Sequence, residues 1–159
     1  MRKLIKLITY MIVSLFIFVM SLFIFIPLLN DYRLFAFAQQ LKTLPQNITL
    51  VESKTICGKL NGNGNGMDFL ACILVKSDLS LEEIQQYYDG IVFQTAKNDV
   101  NHKVEKQVLP VKGNKLETEY LEHGSISFDT LKPSPDYSKY YIMLIYDGGY
   151  SADLDIRGH

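Results

Sequence analysis

The chain is poor in the residues that carry most catalytic chemistry: its 159 residues include three histidines, two cysteines and no tryptophan. No H-E-x-x-H pair occurs, which excludes the helical zinc-protease arrangement. Cys57 and Cys72 stand far wider apart than the C-x-x-C of a redox centre. Ser125, Ser127 and Ser151 lie in no nucleophile-elbow pattern. No cysteine closely follows the apolar N-terminal segment, so the lipobox of a bacterial lipoprotein is missing.

Charge is the next absence. Residues 7–29, "LITYMIVSLFIFVMSLFIFIPLL", hold no charged side chain. As a helix this run reaches roughly 35 Å, enough for a hydrocarbon core of about 30 Å. In lipid a helix is the one single-segment structure that satisfies its own backbone, so the many aromatic and β-branched residues are no obstacle. Arg2, Lys3 and Lys6 precede the run and Asp31 follows it. The positive-inside rule then predicts a cytoplasmic N-terminus, with the rest of the chain outside; the inverted topology is the alternative. Ala36-Phe37-Ala38 before Gln39 matches a signal-peptidase site. The apolar run exceeds the usual h-region, however, and the site lies well beyond its end, so an uncleaved anchor is expected.

Residues 31–159 suit one domain with its own core. They carry thirteen Lys and Arg against 17 Asp and Glu, a formal charge of −4, with no basic cluster. Nucleic acid is therefore not an expected partner. Three segments are expected: a transmembrane anchor over 1–30, an amphipathic helical stem over 31–45 and an extracytoplasmic domain over 46–159. The stem rests on Leu34, Phe37, Ala38 and Leu41, which recur at helical spacing, with Pro45 ending the helix.

Within the domain, "NITLVESKTIC" and "MDFLACILVK" predict strands. Ser80 with Glu83 spells a capping box, and Leu79 with Ile84 occupies the staple positions, which predicts a helix near 80–89. "IVFQTAKND" fits either a helix or a strand. "HKVEKQVLPV" and "KLETEYLEH" flank Lys112-Gly113-Asn114 as in a hairpin. "SISFDTL" suits a short strand, "KPSPDYS" a loop and "YYIMLIY" a buried strand. Asp147-Gly148-Gly149 suggests a turn into a last strand, where Ala152, Leu154 and Ile156 alternate with Ser151, Asp153 and Asp155. The sum is an α+β fold: a transmembrane helix, then a mainly antiparallel sheet with one packed helix.

Cys57 to Cys72 encloses Asn61, Gly62, Asn63, Gly64, Asn65 and Gly66. A phosphate loop needs its glycines at a strand-to-helix junction with a following Lys-Ser or Lys-Thr. These glycines lead into a strand, so no nucleotide partner is expected. Calcium needs several carboxylates, and the loop offers Asp68 alone. Hairpin chemistry explains the run, and a surface recognition loop remains open. Folding about the loop's midpoint brings Cys57 towards Cys72, which predicts a structural disulfide between them; two buried thiols are the alternative.

For catalysis, His102, His123, Asp153 and Asp155 are the groups a hydrolase would have to unite. Asp153, Asp155 and His159 offer a metal reading, and Glu117, Glu119, Glu122 and Asp129 a carboxylate-pair reading. Solvent-facing aspartates and a charged strand face explain both sets, and no cofactor or metal is expected. Tyr137, Tyr140, Tyr141, Tyr146 and Tyr150 suit packing more than ligand stacking.

A charged start, a membrane span, "CGKLNGNGNGM" and "SDLSLEEIQQYY" together resemble small membrane-anchored proteins of low-GC Gram-positive bacteria. The resemblance covers residues 45–90. It implies a bacterial cell envelope and brings neither an activity nor site residues. The function expected is a non-catalytic interaction or sensing module, with the bilayer as one partner through residues 7–29 and another membrane or secreted protein as a second. The alternative is a tethered hydrolase acting on envelope polymers.

Overall fold

The computed structural model describes residues 1–62, 64–132 and 136–159. Helix α1 (Arg2–Gln39) runs without a break and ends in a 3-10 turn, Gln40–Lys42. Its apolar run is long and apolar enough to cross a membrane, and none of that stretch is buried. The last third of the helix behaves differently. Asn30, Leu34, Phe37 and Ala38 are buried, as is Leu41 in the following turn. The spacing of 30, 34, 37, 38 and 41 is one helical stripe, and the sheet covers it.

The domain is α+β. A four-stranded antiparallel sheet runs in the order β1 (Ile48–Gly58), β2 (Met67–Ser77), β6 (Tyr140–Tyr150), β3 (Glu105–Pro110). A small pair, β4 (Lys115–Leu116) with β5 (Ile126–Ser127), forms a separate two-stranded sheet. β2 and β6 are apolar on both faces because both faces are covered. Phe69, Ala71, Ile73 and Val75 pack with Tyr141, Met143 and Ile145 under the end of α1 and under α2 (Leu81–Asp89). Leu70, Cys72 and Leu74 pack with Ile142 and Leu144 against Leu116, Ile126, Phe128 and Leu131.

Helix α2 starts at the predicted capping box. Ser80 Oγ accepts from the Glu83 amide at 3.2 Å, and Glu83 Oε2 accepts from the Ser80 amide at 2.8 Å. Its far end is capped from β3: Lys106 Nζ donates to the main-chain oxygens of Tyr88, Asp89 and Ile91. The tyrosines pack, with Tyr141 and Tyr150 buried and Tyr146 stacked on Tyr120 at 4.6 Å.

Four expectations need correction. β3 pairs with β6, not with β4, so Lys112–Asn114 does not turn a hairpin between the two predicted strands. Asp147, Gly148 and Gly149 lie inside β6 rather than in a turn. The C-terminus is an irregular segment ending in a 3-10 turn, Ile156–Gly158, not a strand. Ala152 is buried and Asp153 exposed as the alternation expects, but the segment's end is reversed: Asp155 is fully buried and Ile156 is exposed.

The fourth is the disulfide. Cys57 and Cys72 are both free and both buried. Cys57 sits opposite Phe69, and Cys72 sits opposite Lys54. Three register steps separate them, about 10 Å along the strands. An odd step also places them on opposite faces, Cys57 in one apolar layer and Cys72 in the other. A disulfide needs Cα atoms within about 7 Å and converging Cβ vectors, which this register forbids.

Candidate functional site

Antiparallel order puts the end of β1, the start of β2, the end of β6 and the start of β3 at one end of the sheet. α1 enters the domain there too, since the Cys57 thiol approaches the Asp31 carboxylate at 3.9 Å. The Asn-Gly loop, His102, Asp147 and the C-terminal turn all gather at this end.

The loop is held from below by Asp68, the lone carboxylate that is too few for calcium. Asp68 is buried, and its Oδ2 accepts from the amides of Leu60 at 3.1 Å and Asn61 at 3.3 Å. Its Oδ1 accepts from the Gly149 amide at 2.8 Å. The Gly62 amide donates to Glu122 Oε2 at 2.8 Å, and the Gly66 amide to the Gly158 oxygen at 2.8 Å. Asn61 Nδ2 donates to the Glu119 oxygen. Gly62 has φ +78, the left-handed conformation for which glycine suits. These amides are spent on protein acceptors and are not free to cradle an anion. Gly64 and Asn65 stay exposed, as does Asn61. Asn63 lies outside the described residues.

A second cluster sits on the other face. Asp147 is buried at 1 % exposure, and its Oδ2 accepts from the Ala96 amide at 2.6 Å and the Tyr150 hydroxyl at 2.7 Å. Its Oδ1 has no hydrogen-bond partner among the described residues. His102 Nδ1 stands 3.7 Å away, and the imidazole stacks on the Tyr150 ring at 4.1 Å and 10°. Asp99 lies 4.0 Å from Nε2. Burial, reinforced by the bond to Asp147, raises the Tyr150 hydroxyl well above its ordinary pKa. A histidine between two carboxylates has the form of a general base. Among the described residues, though, His102 has no hydrogen bond to a serine, threonine or cysteine, and Tyr150 covers one face of its ring. The cluster latches residues 96–102 onto the end of β6.

The other nominated groups do not converge. His123 is exposed beside Glu122. Asp153 takes φ +51 and bonds Ser151, with Lys97 at 3.8 Å. His159 Nε2 lies 3.2 Å from the Asp153 oxygen. Asp155 binds Arg157 and Asn30. Three of the four nominated carboxylates are engaged with different partners: Glu119 accepts from Gln107, Glu122 from the loop, and Asp129 from Lys132. Among the described residues no group of three His, Cys, Asp or Glu is placed to hold a metal ion.

The tightest polar knot was missed. Arg157 Nε donates to Asp155 Oδ1 at 2.9 Å and Nη2 to Oδ2 at 2.8 Å, a two-point fork. Asn30 Nδ2 donates to Asp155 Oδ2 at 2.9 Å. Nη1 pairs with Asp31, and Nη2 also reaches the Pro27 oxygen at 3.0 Å. The Arg157 guanidinium holds the Asp155 carboxyl down to about 2, against the opposing effect of burial. The available signal was Asn30, a polar residue four positions before Leu34 on the stripe that packs inward.

These features define a class by architecture: an α+β domain built onto the end of one long apolar helix. Comparison with protein-family models, curated proteins and solved structures finds no match to this chain.

Proposed function

We propose that this chain is a non-catalytic interaction or sensing module of a bacterial cell envelope, anchored by a single pass through residues 7–29. Residues 31–159 lie outside the cytoplasm in this reading, supported by Arg2, Lys3 and Lys6 on the near side of the span. One observation carries it. α1 does not end where its apolar run ends but continues into the core, so the domain is mounted on its anchor without a linker. A binding event on the domain then bears directly on the orientation of the helix in the bilayer, and the reverse holds.

The same continuity argues for an uncleaved anchor. Cleavage after Ala38 would remove Leu34 and Phe37 from the core and Asn30 from Asp155. The hydrolase reading has no converging group set among the described residues to support it.

Crosslinking in intact cells, followed by affinity purification of the full chain, tests the function. A reproducible stoichiometric protein partner supports the module. No partner, together with breakdown of cell-wall material by the purified chain, overturns it. Protease added to protoplasts tests the topology: loss of the domain with survival of the anchor is expected, and protection until lysis reverses the orientation. The intact mass of the purified protein tests retention of the anchor.

A further inference from the structure

The C-terminal turn sits lower against α1 than a domain standing clear of a membrane would allow. Pro27 lies inside the uncharged run, two residues before its end, yet its main-chain oxygen accepts from Arg157 at 3.0 Å. Asp155, two residues earlier, holds Asn30, which is one helical rise (about 1.5 Å) beyond the run. Ile26, Pro27 and Leu29 are only half exposed, whereas most of the run is open. Between these two contacts stands Ile156, its side chain turned away from the domain and 81 % exposed. The turn cannot swing, since the Lys59 amide bonds the Arg157 oxygen and the Gly66 amide bonds the Gly158 oxygen.

From this we infer that the turn Ile156–Gly158 is a second membrane contact, with Ile156 seated in the boundary between headgroups and acyl chains. The inference rests on the reading of α1 as a spanning helix, because the level of the bilayer is set by where its apolar run stops. Interfacial layers are about 5–7 Å deep on each side of the hydrocarbon core. Residues bonded to Pro27 and Asn30 fall within that layer. An isolated exposed isoleucine elsewhere on a domain is ordinary. Ile156 differs in being held at the height where apolar side chains leave water. Arg157 keeps its charge at this depth by spending its donors on Asp155, Asp31 and Pro27. Two points of contact fix tilt and rotation of the domain, which a single helix would leave free.

The chain has no tryptophan, so an introduced one reports alone. The full chain carrying Ile156→Trp is reconstituted into phosphatidylcholine–phosphatidylglycerol vesicles, with and without lipids brominated on the upper acyl chain. Lys112→Trp is the reference. Lys112 is exposed beside Val111, whose amide bonds Tyr140 at the opposite end of β6, about 33 Å away by strand rise. His159→Trp is the second probe in case the first disturbs the turn. Ile156→Trp should emit to the blue of Lys112→Trp and lose several-fold more intensity to brominated lipid. Flotation of the same vesicles reads the anchor separately. Failure to float removes the anchor and this inference together. Flotation with Ile156→Trp and His159→Trp both matching Lys112→Trp overturns the inference and leaves the anchor standing.

Discussion

The Arg157 guanidinium donates to the main-chain oxygen of Pro27 at 3.0 Å, joining positions 130 residues apart. The contact is the outer edge of a knot whose centre is the fully buried Asp155 carboxylate. A buried charge is tolerated only when paired and hydrogen-bonded, and Asp155 has the Arg157 fork on one side and Asn30 on the other. The C-terminal turn and α1 therefore pack as one unit.

Breaking that unit should be expensive. Asp155→Ala removes the partner of Asn30 and the fork of Arg157, which is partly exposed and keeps Asp31, and the expected loss is about 2–3 kcal/mol. Arg157→Lys should lose part of this, because an ammonium cannot make the two-point fork. Urea unfolding of the full chain in detergent, followed by circular dichroism, measures both. A wild-type midpoint for Asp155→Ala would show that the knot does not hold the domain.

Acid should act on the same knot. Asp155 is held down to about 2 by Arg157. Glu52 is also lowered to about 2: burial opposes, but bonds from Lys54 and Thr130 prevail. Both folded values lie below the unfolded ones, so the stabilisation is complete only above about pH 5 and is lost as pH falls towards 2. For Asp155 alone this amounts to about 2 kcal/mol. Unfolding free energy measured from pH 6 to pH 2.5 should be flat at first and begin to drop near pH 5, with a smaller drop in Arg157→Ala.

What could be read from the sequence was local. The stripe Leu34, Phe37, Ala38, Leu41 and the Ser80–Glu83 box each sit within two helical turns, and both appear where expected. The misreadings concern partners far along the chain. Lys112-Gly113-Asn114 has hairpin composition, but β3 finds a longer partner in β6 than the two-residue β4 offers. The alternation of Ala152, Leu154 and Ile156 suggested a strand. It gave way because the buried Asp155 pairs with Arg157 two residues on and with Asn30, 125 residues back, and no local pattern announces the second partner. The cysteines failed on register, where a shift of three residues turns facing side chains onto opposite layers.

The thiols give a prediction of their own. Burial pushes the Cys57 thiol up to about 11 and the Cys72 thiol up to about 12. Thiolate is the reactive form, so neither should alkylate at neutral pH until the domain unfolds. Iodoacetamide labelling followed by peptide mass mapping should find two unmodified free cysteines in the native protein and two modified ones in urea. Addition of reductant should leave the melting temperature unchanged. A mass-mapped Cys57–Cys72 peptide pair would overturn the register itself.

Asp68 and Gly148 yield the sharpest test of the Asn-Gly loop. Asp68 receives three main-chain amides, from Leu60, Asn61 and Gly149. Hydrogen bonds to a charged group contribute about 1.5–3 kcal/mol each, though not additively. Asp68→Ala should free the three amides, raising their hydrogen-exchange rates well above those in the middle of β2. Asp68→Asn keeps one carbonyl acceptor and should retain partial protection. Gly148 presses on the same carboxylate: a Cβ there would lie 2.4 Å from Asp68 Oδ1 and 2.2 Å from the Tyr146 hydroxyl. Gly148→Ala must move one of them, with an expected loss of about 1–3 kcal/mol. If Asp68 is the loop's support, Gly148→Ala should also raise exchange at Leu60 and Asn61, on the far side of the carboxylate from the new methyl. Faster exchange confined to Gly149 would mean that the loop stands without Asp68.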